Sequence, residues 1–265
     1  MTSARPGSAD THGSADFPDP LGTPDSDLWI RRFHPAPHAT ARLVCFPHAG
    51  GSASFYYPLS ELLRPQVEVL AVQYPGRQER RAEPMVADIG ELSVRVAAAL
   101  RPWDDRPYAL FGHSMGAVVA YETARLLPER VSALFASGRR APTTVRQESL
   151  HLADDRTLVA ELLRLDATSS VLLEDEELRA MILPALRNDY RAVERYRHRP
   201  GSPVAVPVTA LIGDGDPKVT REEARAWSGL TSGDFSLRTF PGGHFYLTDH
   251  WPRLAALLRD ALALS

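Results

Sequence analysis

One cysteine, Cys45, is all that the 265 residues carry. An internal disulfide is therefore excluded, and this usage fits a reducing compartment. No stretch approaches the ~18 consecutive apolar residues of a transmembrane helix. The opening segment, MTSARPGSADTHGSADFPDPLGTPDSD, lacks the apolar core of a secretory signal. It is also poor in aliphatic residues and rich in Ser, Gly, Pro and Asp. Such a segment buries too little surface to offset its ordering entropy, so residues 1–27 are expected to be a disordered leader. Basic charge is not in excess either. The formal net charge is -3 at pH 7, which leaves no footprint for nucleic acid and no polybasic membrane patch. A cytoplasmic protein is the expectation. With no coiled-coil pattern and no obvious apolar edge, a monomer is expected too.

What is present is an ordinary globular balance, 44% hydrophobic and 24% charged. Apolar runs that read as strands fall at residues 28–33, 42–46, 67–73, 108–111, 131–137, 206–212 and 235–240. Helical spacing falls between them, at 55–63, 88–100, up to about 127, and at 251–264. Strands alternating with helices predict an α/β fold: a mostly parallel sheet covered by helices on both faces. Residues 143–199 break the rhythm. They hold helical segments at 154–165, 174–183 and 185–197 and no strand, and so predict a helical lid inserted over the C-terminal edge of the sheet. One domain over 28–265 is the expected organisation. Within the lid, Leu158, Leu162, Leu165, Met181 and Leu186 recur at helical spacing, which reads first as packing.

One stretch raises a chemical question. In ALFGHSMGAVVAYETARLL, a serine stands between two glycines where a strand gives way to a helix. Gly112-His113-Ser114-Met115-Gly116 matches G-x-S-x-G. A sharp strand-to-helix turn strains the serine backbone, and small residues two positions either side prevent clashes. The turn lifts the hydroxyl above the sheet and aims a helix N-terminus at it, where the dipole favours developing negative charge. Ser114 is thus the candidate nucleophile.

A serine hydroxyl needs a base, and on this fold the chain order is Ser, acid, His. His244, in PGGHFYL before the last helix, is the candidate. His198 and His250 read as surface or capping residues. The acid should follow the preceding strand, where IGDGDPKVT offers Asp214 and Asp216. Asp216 lies further along the loop and is preferred; Asp214 reads as a turn residue bonding nearby backbone. The oxyanion hole needs two backbone N–H groups. Met115 supplies the one after the nucleophile, and the glycine-rich loop PHAGGSAS supplies the other, Ala49 before Gly50. That loop lacks the Lys-Ser/Thr of a phosphate-binding P-loop. The arginines Arg77, Arg80, Arg81, Arg139 and Arg140 fall in two loops and read as solvated or salt-bridged surface, with contact to an acidic partner or its phosphate as the alternative.

The stretches LVCFPHAGGSASFYYPLSELL, VQYPGRQERRAEP, LFGHSMGAVVAYETA, SGRRAP, IGDGDPKVT and PGGHFYL together resemble type II thioesterases. These are stand-alone editing enzymes of the α/β-hydrolase superfamily, associated with modular polyketide and nonribosomal peptide synthases. The resemblance runs from about Trp29 to the C-terminus. It implies Ser114, Asp216 and His244 as the triad and Ala49 with Met115 as the oxyanion hole, with no cofactor and no metal. It also implies a partner, an acyl or peptidyl carrier protein bearing an acyl group on phosphopantetheine. The implied task is hydrolysis of short or aberrant acyl groups that stall the assembly line. The competing readings are a general carboxylesterase or lipase, a product-releasing thioesterase domain and a non-catalytic binding protein on the same fold.

Overall fold

The computed structural model describes residues 26–165 and 175–263. Its core is a seven-stranded sheet: β1 (Ile30–Arg31), β2 (Ala41–Phe46), β3 (Val67–Val72), β4 (Tyr108–His113), β5 (Val131–Ser137), β6 (Val208–Gly213) and β7 (Phe235–Phe240). The order across the sheet is β1-β3-β2-β4-β5-β6-β7. Only β1 runs antiparallel, on the outer edge of β3. The central strands β3 and β4 are buried at every residue. This is why they read as unbroken apolar runs rather than alternating ones.

Helices cover both faces. α3 (Ile89–Ala99) and α4 (Met115–Leu126) pack on one face against Val44, Leu70 and Leu110. α2 (Tyr57–Leu63) and α8 (Trp251–Ala263) pack on the other, against Leu43, Val69 and Phe111. Successive strand residues feed opposite cores, as the twofold period of a strand requires. α3 starts where Asp88 accepts from the Glu91 N–H at 2.8 Å, an N-cap with an acidic residue in the first turn.

Between β5 and β6 lie α5 (Asp155–Leu165) and α6 (Glu176–Arg195). A short α7 (Arg221–Arg225) follows β6. The insertion is helical and strand-free among the described residues, as expected. Its second and third predicted helices are one. Pro184 lies inside α6 rather than ending it. Proline removes one hydrogen bond, but Leu183, Leu186, Ala192 and Val193 are buried on either side of it, so packing holds the helix together across the break.

Two further boundaries differ from expectation. Residues 1–25 of the predicted leader lie outside the described residues, but Ser26 and Asp27 begin α1 (Ser26–Trp29). Ser26 Oγ donates to Ala99 O at 3.0 Å, which anchors this turn to the end of α3. The strand predicted over 28–33 shrinks to β1 because Leu28 and Trp29 are taken by that helical turn. No helix among the described residues is long and apolar enough to cross a membrane.

The topology fixes where a site can form. From β2 the chain moves outward to β3, then returns to the other side of β2 as β4. The loops leaving β2 and β4 therefore diverge, and a crevice opens between them at the carboxyl ends of the strands. Phe46 and Gly112 are paired in register there. The glycine-rich loop after Phe46 thus faces the Ser114 turn.

Candidate active site

Ser114 lies between β4 and α4 with φ 54° and ψ -117°. A non-glycine residue at this positive φ is strained, and the surrounding structure has to hold it there. The flanking glycines show how. A Cβ on Gly116 would sit 2.1 Å from Phe46 O, and one on Gly112 would sit 2.2 Å from Gly116 O. Only glycine lets α4 approach β2 so closely. Met115 opens α4, so its N–H is one of the unpaired donors of a helix N-terminus.

Three of the predicted residues form one hydrogen-bonded chain. His244 Nε2 is 3.0 Å from Ser114 Oγ. His244 Nδ1 lies 2.9 Å from Asp216 Oδ2 and 3.0 Å from Oδ1. His244 is 2% and Asp216 9% exposed, so water competes little for these bonds. Asp216 also accepts from the Lys218 N–H at 2.8 Å, which orients the carboxylate. Asp214 does something else: it accepts from the Gly242 N–H at 2.9 Å and so holds the loop that carries His244. His250 Nε2 donates to Pro241 O at 3.0 Å, and His198 sits beside Tyr121. Neither lines the cavity that Ser114 and His244 share.

Ala49 and Met115 line that cavity, of about 30 Å³, with Ser114 and His244. Gly50 is otherwise engaged, because its N–H donates to Asp189 Oδ2 at 2.8 Å. From the insertion, Leu162 and Leu165 of α5 and Leu186, Tyr190 and Val193 of α6 complete the wall. Leu158 is fully buried as packing, and Met181 is exposed.

The arginines depart from the surface reading. Arg77, Arg80 and Arg140 are buried at 7%, 3% and 4% exposure. Each is paired: Arg77 with Asp189, Arg80 with Glu83, Arg140 with Glu148. Arg80 also donates to Gln73 O at 2.7 Å and lies over the Trp29 ring. Their long stems pack while paired carboxylates neutralise their heads. Arg81 is exposed. Arg139 lines the cavity, and burial, with the neighbouring Arg140, pushes its pKa down to about 10.

Other residues at the site were not singled out from the sequence. His113, inside the G-x-S-x-G turn, is fully buried, with Nδ1 2.9 Å from Ser137 Oγ. Ser137 in turn is 2.7 Å from Tyr246 OH. The His113 ring centroid is 5.0 Å from that of His244. Burial, then the nearby His244 and His48, hold the His113 imidazole well below its ordinary pKa, so it is neutral. Lys218, the only lysine in the sequence, bonds Glu161 at 2.6 Å and Glu148 at 3.5 Å. It ties the Asp216 loop to the insertion, and its uniqueness two residues after Asp216 was a legible signal.

The thioesterase domain family model matches residues 41–262. The chain is 51% identical over 246 residues to thioesterase PikA5 of Streptomyces venezuelae, covering 91% of this chain and 88% of that one. Its fold is similar to that of the type II thioesterase BorB from the borrelidin biosynthetic cluster, with a TM-score of 0.84 at 51% identity, over 89% of this chain and 98% of that one. It is also similar to YbtT, a type II thioesterase from the yersiniabactin NRPS/PKS pathway, with a TM-score of 0.80 at 30% identity, over 89% and 98% of the two chains. The α/β-hydrolase-like sheet, the strained serine at its switch point and these likenesses agree: the chain belongs to the thioesterase domain family.

Proposed function

We propose that this protein hydrolyses acyl groups from the phosphopantetheine arm of a carrier protein, clearing short or aberrant acyl groups from a polyketide or nonribosomal peptide synthase. The observation that carries the chemistry is the unbroken chain Ser114–His244–Asp216 at a cavity also lined by Ala49 and Met115. The substrate class is supported by the relatives: BorB is a type II thioesterase from the borrelidin biosynthetic cluster and YbtT one from the yersiniabactin NRPS/PKS pathway.

Ser114 Oγ attacks the thioester carbonyl as His244 Nε2 takes its proton. Asp216 holds the imidazole tautomer and stabilises the imidazolium. Negative charge builds on the carbonyl oxygen, where the Met115 and Ala49 amides donate to it, each contributing about 3 kcal/mol. The C–S bond breaks, and the carrier thiol leaves with the proton from His244. Water, deprotonated by His244, then attacks the acyl-serine, and the free acid departs as the proton returns to Ser114. The Leu162, Leu165 and Leu186 side chains keep the surroundings apolar and limit competing water.

The test is acyl release from carrier proteins loaded with acetyl, propionyl and longer chains, alongside a simple oxygen ester, for wild type and Ser114→Ala. Serine-dependent loss of short acyl groups from the carrier is expected. Ester cleavage with the carrier-bound groups untouched would overturn the substrate class and favour a general carboxylesterase.

A further inference from the structure

Among the buried ion pairs that the chemistry above does not use, one touches the glycine-rich loop. Asp189, on α6, is fully buried, and Arg77, on the loop after β3, is 7% exposed. They meet through two parallel bonds, Nη1 to Oδ2 at 2.7 Å and Nη2 to Oδ1 at 3.0 Å. The same Oδ2 accepts from the Gly50 N–H at 2.8 Å, and Arg77 Nη1 also donates to Gly51 O at 3.0 Å. Three segments distant in sequence therefore close on a single carboxylate: the insertion, the arginine loop and the glycine-rich loop that carries Ala49.

Burying such a pair seldom gains stability over apolar residues of the same size, whereas removing one partner strands the other charge. Its location suggests another use. The Gly50 N–H belongs to the peptide that begins at Ala49, so its bond to Asp189 fixes that peptide plane one step from the Ala49 amide. Gly50 adopts φ +74°, and a Cβ there would meet Leu186 Cδ1 at 3.0 Å, so the same helix also packs against the loop. Leu186 and Tyr190 on that helix wall the cavity beside Ser114. One helix thus shapes the acyl cavity and grips the oxyanion loop.

The charges are consistent with this use. A bare carboxylate behind the loop would oppose negative charge growing at the Ala49 amide, and the Arg77 guanidinium neutralises it. Burial works against the charge on Arg77, but Asp189 more than offsets this and holds its pKa above the ordinary value.

We propose that Asp189 and Arg77 are positioning residues that couple the seating of α6 to the placement of the Ala49 amide, so that the oxyanion hole is complete only when the insertion helix is packed over the site. This rests on the acyl-transfer reading above.

The experiment compares wild type with Asp189→Asn, which keeps size and one acceptor oxygen, and with Arg77→Lys, which keeps charge but not the fork. Turnover of an acyl-pantetheine thioester is measured per active site titrated. The affinity of an acyl trifluoromethyl ketone, which adds to Ser114 and places its oxyanion in the hole, is measured on the same samples. Both variants are expected to lose about tenfold or more in kcat with KM nearly unchanged, and to lose analogue affinity by the same factor. A purely structural pair would instead reduce the titratable fraction while leaving turnover per site and analogue affinity at wild-type values, and that result overturns the proposal. If Asp189→Asn does not fold, Arg77→Lys decides by the same criteria. Failure of the underlying reading is separately visible, since wild type itself would then form no Ser114-dependent adduct.

Discussion

Replacing Gly116 by alanine tests the central packing claim. The added Cβ would lie 2.1 Å from Phe46 O and 2.6 Å from Pro47 O. Relaxed contacts lie near ~3.5 Å, so the shortfall is roughly 1.4 Å at Phe46 O and roughly 0.9 Å at Pro47 O. Both opposing atoms are backbone, and no rotamer change can relieve them. The first turn of α4 must lift from the end of β2. Overpacking of this kind costs about 1–3 kcal/mol, and a backbone-to-backbone clash belongs at the top of that range. For a domain of this size, ~3 kcal/mol lowers Tm by about 6–12 °C. The same turn carries Ser114 Oγ and the Met115 N–H, and a displacement of ~1 Å in such a constellation costs about 100-fold in rate. Thermal unfolding and thioester turnover, measured on one preparation, read both losses. A variant within about 2 °C and twofold of wild type would refute the close helix–strand approach on which the site is built.

Asp216→Asn is expected to lower kcat by about 10⁴, because the imidazole loses its tautomer and its counter-charge. Asp214→Asn keeps an oxygen for the Gly242 N–H and is expected to leave kcat within about tenfold; steady-state kinetics on both variants decides which carboxylate orients His244. A stability profile against pH should expose His113. Its folded pKa lies well below the ordinary 6.5. The unfolded chain therefore takes up a proton below about pH 6.5 that the fold refuses. Its contribution is whole above 6.5 and is lost as pH falls from there toward the folded value. The glutamates held below their ordinary 4.5, Glu83, Glu148, Glu161 and Glu223, begin to act only at lower pH. Urea unfolding of wild type and His113→Asn between pH 7 and 5 should show a steeper decline in wild type, and parallel profiles would contradict the burial argument.

Much of this molecule was legible because local physics and tertiary structure agree. The central strands are buried on both faces and announce themselves as apolar runs. The serine turn needs glycines two residues either side, and the sequence has them at Gly112 and Gly116. The order Ser114, Asp216, His244 follows from how the loops leave the strands. What stayed hidden depends on partners far apart in the chain. Arg77 reads as a surface residue until α6 brings Asp189 to it from 112 residues away. His113 is indistinguishable from a spacer until β5 supplies Ser137 and the last loop supplies Tyr246. Pro184 reads as a helix break because its cost is local, whereas the packing of Leu183 and Leu186 that offsets it is tertiary. The bond from the Gly50 amide to Asp189, 139 residues away, was likewise hidden.

The most direct measurement is the mass of the enzyme itself during turnover. Carrier protein loaded with an acyl group is mixed with the protein, the reaction is quenched in acid within the first turnovers, and the digested peptides are weighed. One acyl group is expected on the peptide containing Ser114, decaying as free acid appears, and absent in Ser114→Ala. Continued hydrolysis by Ser114→Ala, or an acyl group on any other residue, would contradict it.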